Sequence, residues 1–233
     1  MKKLIYIAIF LLGFTSYVNA NGINIGVSIT GGVFDATGSE VFSGDHASNA
    51  SSTKVTKKSS AEGEDVETLF GFGSIFIEKE ISDQVSIGLD YVPTGLDSET
   101  TENIQRTGNN EGTGAPGSEV TNKVSVSFND MRTAYVKFNT PVGAYVKIGL
   151  MEVDLDTNEN LGTGGAYGNA TISGMSLGLG YNHDLANDMF VRVEGNLMDF
   201  DDVSLTNTND STKTINANDI DGYGARISVG KSF

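Results

Sequence analysis

The only two imidazoles in this 233-residue chain are His46 and His183, and there is no cysteine. Nucleophilic catalysis of the Ser–His–acid kind needs an imidazole beside a hydroxyl and a carboxylate. His46 falls in the middle of the longest polar run and His183 in the short segment HDLAND, so neither sits on a strand that could hold it against such partners. Carboxylates are abundant, at 30. The runs Asp199-Phe200-Asp201-Asp202 and Glu152-Val153-Asp154-Leu155-Asp156, with Asp210, could offer hard oxygens to Ca²⁺ or Mg²⁺. None has the spacing of an EF-hand or a glycine-rich calcium repeat, and they read as solvated loop tips. The segment GTGGAYGNA has the glycines of a phosphate cradle, but a strand and not a helix follows it. Asn49-Ala50-Ser51 and Asn169-Ala170-Thr171 match the glycosylation triplet by composition alone. The residues therefore assign no catalytic, cofactor-binding or metal-ligating role.

A third set of charges is placed far more regularly. Glu78, Glu80, Asp90 and Glu194, with Lys137, Lys147, Arg192 and Arg226, each stand at an alternating position between apolar residues. In extended chain this alternation puts the charges on one face and the apolar side chains on the other. Hairpin partners must agree on faces, and they do. Pairing Ile81 with Val85 gathers Ile75, Ile77, Leu89 and Tyr91 on one side and leaves Phe76, Glu78, Glu80, Ser86, Gly88 and Asp90 on the other. Pairing Phe138 with Ala144 separates Ala134, Val136, Val146, Ile148 and Leu150 from Tyr135, Lys137, Tyr145 and Lys147. Pairing Asn182 with Phe190 sets Arg192 and Glu194 across from Gly180 and Gly178, large side chains against none. The charged face is either a solvated surface or a confined interior. In confinement, the four acids and four bases predict an ion-paired plug, whereas a selective pore would carry one sign.

The elements that must position these charges are strands. No helical period follows Ala20, and alternation recurs in eight stretches near 23–34, 67–81, 85–96, 123–138, 144–155, 171–182, 190–201 and 219–233. Three connections are tight: Ser82-Asp83-Gln84, Asn139 to Gly143, and HDLAND. Four are long and polar, near 35–66, 97–122, 156–170 and 202–218, with low-complexity runs that cannot form a core. Strands near the roughly 9–11 residues that cross a bilayer, with turns at one end and long loops at the other, give the layout of an outer-membrane barrel. An exported soluble β-domain would show the same alternation without segregating its loops.

Composition bounds the class. Residues 1–20 have a basic start, an apolar run from Leu4 to Phe14 and the small-residue site Val18-Asn19-Ala20, which predicts a removed signal peptide. Removing Lys2 and Lys3 leaves 13 basic against 30 acidic residues, so the charge moves from −15 to 13 − 30 = −17. Nucleic acid is excluded as a partner for want of a basic stripe. The 29 glycines and 3 prolines favour strands and turns.

The signal peptide, the eight alternating strands and the last strand GYGARISVGKSF resemble the small outer-membrane β-barrel proteins of Gram-negative bacteria, the OmpA-transmembrane-domain and OmpX/Ail-like group. The resemblance implies an all-β, eight-stranded, antiparallel up-and-down barrel over 21–233, with periplasmic turns and four long extracellular loops. It implies that Ile227, Val229 and Phe233 carry the signal read by the barrel assembly machinery. Lys231 stands where the group usually has an apolar residue, and no tryptophan is present. Tyr91, Tyr181, Tyr223, Phe138 and Phe190 are expected to form the interfacial girdle, and Lys79 and Lys231 to snorkel at the periplasmic end. The expected partners are outer-membrane lipid, lipopolysaccharide and a surface ligand on the acidic loops. The expected role is structural and surface-interacting, without enzymatic activity or cofactor. The alternatives are a small-solute channel and a lipid-modifying enzyme.

Overall fold

The computed structural model describes residues 22–42, 56–57, 64–98, 100–106, 119–162, 165–209, 211 and 213–233. The expected signal peptide, His46, the Asn49 triplet and Asp210 lie outside these residues. Eight long strands follow one another: β1 Ile23–Phe42, β2 Glu64–Ser82, β3 Val85–Val92, β4 Glu119–Asn139, β5 Ala144–Leu161, β6 Ala170–Asp184, β7 Met189–Phe200 and β8 Lys213–Ser232. Each pairs antiparallel with the next, and β8 pairs with β1 from Asn24↔Ser232 to Phe42↔Lys213, so the sheet closes on itself. Closure leaves the ring without an edge strand, which hydrocarbon demands because it offers no alternative partner to an amide.

All eight strands fall where the alternation places them, but most run further. β1, β2, β4, β5 and β8 continue well beyond the apolar stretches into what read as polar loops. Thr101–Arg106 pairs with Glu119–Val124, and Val203–Thr206 with Thr214–Ala217. These segments are rich in Thr, Val, Asn and Ser, and their side chains lace the ladder: Asn158 donates to Ser127 (2.8 Å), Asn129 to Asp156 (2.8 Å) and Ser127 to Asp97 (2.6 Å). Low apolar content ruled out a core there, and it did not rule out cross-strand pairing. The loops also dock on each other, with Thr208 N donating to Ala166 O at 2.7 Å.

Bulges mark the edges of the apolar stretch. One lies between Asn129 and Arg132 with Asp130 at φ 51°, another between Asp35 and Thr37 across from Asp219, also at φ 51°. An extra residue flips the facing of all that follow. In β4 it sends Phe128 inward on one side of the bulge and Tyr135 and Lys137 inward on the other. The sequence reading of 123–138 as a single alternating stretch missed this switch.

Inside and outside then differ sharply. Ile25, Val27, Ile29, Ile75, Ile148 and Ile227 stand exposed on the outer wall. The lumen of eight strands is only wide enough for side chains, and it is stratified. Charged and aromatic residues fill the end near the short turns. Near the long loops the filling is apolar, with Phe72, Val92, Met151, Val153, Phe200 and Ile220 buried together. Phe34 joins this cap, its ring centroid 4.5 Å from that of Phe70 and 6.0 Å from that of Phe200. A closed barrel of this kind resists detergent, so unboiled protein should run at a different position from boiled protein on a detergent gel. A single position for both samples would contradict closure.

Candidate functional site

The lumen charges gather around Glu78 on β2, whose side chain has no exposure at all. Arg192 on β7 reaches across the barrel and grips the carboxylate with both terminal nitrogens at 3.0 Å. Lys137 on β4 donates at 2.6 Å, Asn24 on β1 at 3.0 Å and the Tyr135 hydroxyl at 3.3 Å. Five donor groups from three strands thus converge on one acid. Arg192 is held in turn by Asn182, which accepts from its Nε at 2.8 Å, and by the Phe190 ring, 4.3 Å from the guanidinium carbon.

Two further pairs stand beside this knot. Lys147 on β5 donates to Glu194 on β7. Arg226 on β8 holds Asp90 on β3 at 3.0 Å, while Ser74 donates to the same carboxylate at 3.1 Å and Thr30 accepts from Arg226 Nε at 3.0 Å. The two lysines stack crosswise on the lumen tyrosines, Lys137 over Tyr145 at 5.4 Å and Lys147 over Tyr135 at 5.3 Å. Those rings fit because glycine lies under each. A Cβ at Gly88 would stand 2.3 Å from Tyr135 Cζ, and one at Gly180 2.3 Å from Tyr145 Cζ. Charge-assisted hydrogen bonds of this density offset the cost of taking the ions out of water.

The structure thus brings Glu78, Asp90, Lys137, Lys147, Arg192, Glu194 and Arg226 together. Glu80 departs from the set: it is exposed at the rim, where Asn24 donates to it at 3.1 Å. The bulge between Glu80 and Ser82 ends the lumen at that level. Ile227, Val229 and Phe233 are exposed on the outer wall. Tyr91, Tyr223, Phe138 and Tyr181 are exposed too, the first pair towards the long loops and the second towards the turns. Phe190 does not belong with them. It is 2% exposed and packs inside the barrel over Gly230, because it shares the parity of Arg192 and Glu194. Lys231 lies on the outer wall over the Phe233 ring at 5.5 Å.

The other candidates are dispersed. His183 is exposed near the end of β6, and the described residues hold no group of three side chains able to ligate a metal ion. Asp154 is taken up by Arg132 (2.5 Å) and Thr171 (2.7 Å), and Asp156 by Asn129 and Asn169. The described part of GTGGAYGNA is loop leading into β6, with Gly165 and Gly168 at positive φ. The apolar cap was missed at the sequence level, although its signal was there. The inward positions of β7 read Arg192, Glu194, Asn196, Met198, Phe200, a gradient from charge to hydrocarbon along one strand.

A closed eight-strand ring with an apolar outer wall and an ion-paired interior is built to stand in a bilayer. The chain is an eight-stranded transmembrane β-barrel. No protein-family model and no curated protein sequence matches it. Solved structures of similar fold include the outer membrane protease OmpT from Escherichia coli, at 12% identity over 94% of this chain and 99% of that one, with a TM-score of 0.45. The outer membrane protein OprG from Pseudomonas aeruginosa matches at 15% identity over 91% and 96%, TM-score 0.46. The attachment invasion locus protein Ail of Yersinia pestis matches at 8% identity over 89% and 99%, TM-score 0.38. These likenesses concern the fold alone.

Removing the acid at the centre of the knot would strand two cations. Glu78→Ala should destabilise the folded barrel by roughly 3–5 kcal/mol in urea titrations, the scale for breaking a buried pair. Glu80→Ala, at the wet rim, should cost well under 1 kcal/mol. Equal losses from the two variants would show that the buried network is not what holds the lumen together.

Proposed function

We propose that this barrel is a closed outer-membrane protein whose work is done by its long-loop end, as a structural and surface-interacting element and not as a pore. The observation that carries this reading is the double seal of the lumen. An ion-paired layer around Glu78 and an apolar layer around Phe72 and Phe200 lie in series along the axis. A solute would have to break charge pairs in a confined, poorly solvated space and then cross hydrocarbon, and neither step has a compensating partner. Above the seals, strands extended beyond the apolar belt lift an acidic, Asn- and Thr-rich rim clear of the membrane.

In this reading the outer wall meets membrane lipid and lipopolysaccharide, the long-loop end faces outward, and a ligand at the cell surface is met by the loops. Ile227, Val229 and Phe233 serve the barrel assembly machinery during insertion. The reading includes no enzymatic step.

Purified wild-type barrel in planar bilayers should give no steady channel. Arg192→Glu should lower the yield of folded barrel sharply and leave conductance near the baseline. Stable single-channel steps from the wild type would overturn the closed reading and establish the channel in its place.

The role of the loops is tested separately. Replacing residues 44–62 by a short linker should keep the heat-modifiable band, because the ring of eight strands closes without them and the described pair among them, Thr56–Lys57, meets Gln105–Arg106 outside that ring. It should also weaken attachment of the cells to whatever surface they bind. Loss of the folded band would show that the segment is structural.

A further inference from the structure

The wall of the barrel is not equally continuous along its height. β3 ends at Val92 after 8 residues, between β2 with 19 and β4 with 21. Its ladder to β2 stops at Ile75↔Tyr91, and from Glu64 to Ser74 the described residues pair β2 with β1 alone. Pro93 has no N–H with which to continue the ladder. The chain bends through Thr94 and Gly95 and regains β4 at Leu96↔Phe128 without returning to β2. A notch therefore stands between the long-loop half of β2 and residues 93–97.

The depth of the notch is set by charge. Glu67 on β2 stands in a row with Asp35 on β1 and Asp221 on β8, and like charges so placed need water. Leu69, Gly71 and Gly73, the outward positions between that row and Ile75, lie below it in hydrocarbon. The two glycines leave the outer floor bare, since a Cβ at either would meet nothing nearer than 3.7 Å.

On its inner side the notch meets the apolar cap. Thr94 and Leu96 share a cavity of about 10 Å³ with Phe34, Val92 and Phe128. Phe34, Phe70, Leu96 and Phe128 pack on the cap and are only partly buried. Alternate residues along the unpaired edge of β2 turn N–H and C=O groups into the notch, where hydrocarbon gives them no partner. Two needs meet here, apolar contact for the exposed ring faces and an acceptor for the edge amides. Water serves the second and not the first, and a bare alkane the first and not the second. A fatty-acyl chain serves both, because its carbonyl accepts from an edge N–H while its tail descends over Gly71 and Gly73. The outer wall already stands in lipid, so such chains surround the notch. Moving a tail from lipid to the cap brings no hydrophobic gain, both being hydrocarbon. The seat holds its guest through contacts that a void would forfeit and through the carbonyl.

We propose that the notch between β2 and Pro93 seats one acyl chain of a membrane lipid from the leaflet on the long-loop side, its carbonyl on the unpaired edge of β2 and its tail against Phe70 and Leu96. The chain stays in the wall, and the axial seal is unaffected.

The protein has no tryptophan, so a single introduced one reports its own surroundings. Leu69→Trp stands on the outer wall, Phe70→Trp in the cap beside the notch, and Ile220→Trp in the cap where β7 and β8 are paired. In phosphatidylcholine nanodiscs, replacing the lipid by its acyl-brominated form should quench Leu69→Trp strongly, Phe70→Trp nearly as strongly and Ile220→Trp hardly at all. Quenching of Phe70→Trp no greater than that of Ile220→Trp would overturn the proposal. Should a tryptophan variant fail to fold, the wild type decides. Irradiated in nanodiscs of phosphatidylcholine with a diazirine on one acyl chain, it should be labelled at Phe70 or Leu96, and labels confined to outward residues such as Leu69 and Tyr223 overturn the seat.

Discussion

The grip of Arg192 and Lys137 on Glu78 ties one wall of the barrel to the other. Glu78 stands on β2, Lys137 on β4 and Arg192 on β7, so the contacts span the lumen and do not merely follow a ladder. A sheet closing on eight strands has too little interior to hydrate a free charge, and each ion must meet its counter-ion from across the axis. That requirement fixes which strands face each other and at what height. It also explains the glycines beneath Tyr135 and Tyr145, since the rings must lie flat against the wall for the lysines to pass over them.

The facing of almost every residue in the belt was legible from alternation, and the reason is instructive. Two of the three hairpins pair two residues away from the register read in the sequence. Phe138 meets Val146 and not Ala144, and Arg192 and not Phe190 meets Asn182. A slip of two leaves every side chain on its own side, so the lumen set survives an error in register. Slips of one are what alternation cannot forgive, and the structure makes them deliberately with bulges at Asp130 and Asp219, where a short polar side chain tolerates positive φ. Aspartate is so common in this chain that those two could not have been singled out. Phe190 was misplaced for a different reason: it was assigned by type, as an aromatic near a membrane edge, against the parity of its own strand.

The site was less legible than the fold. Parity identifies which charges turn inward and says nothing of which meets which across the lumen. The pairing of Glu78 with Arg192, 114 residues apart, follows from closure of the ring and from the relative stagger of strands that never touch. Asn24 went unnoticed because asparagine is frequent in the loops, and only burial gives it a role. The extended strands beyond the belt escaped because polarity was taken as the mark of a loop. Outside the membrane, water solvates the side chains and the backbone ladder needs no apolar face.

The same division between lipid and water sets how the barrel sits. On the outer wall, at the long-loop edge of the belt, Glu67 on β2, Asp35 on β1, Asp221 on β8 and Asp199 on β7 are direct cross-strand neighbours. Like charges directly opposite one another destabilise a sheet, so this row stands only where water and counter-ions screen it, and it marks where hydrocarbon must end. At the other edge β8 carries Lys231. Between Asp221 and Lys231 the outward positions are Tyr223, Ala225, Ile227 and Val229, a run of 231 − 221 = 10 residues. At about 3.3 Å per residue and a tilt of about 40°, that run rises about 25 Å, the height of the apolar band in barrels of this kind. The charges at its two ends leave the barrel one depth at which no carboxylate or ammonium is drawn into lipid. The strand extensions, beginning above the acidic row, therefore stand wholly in water.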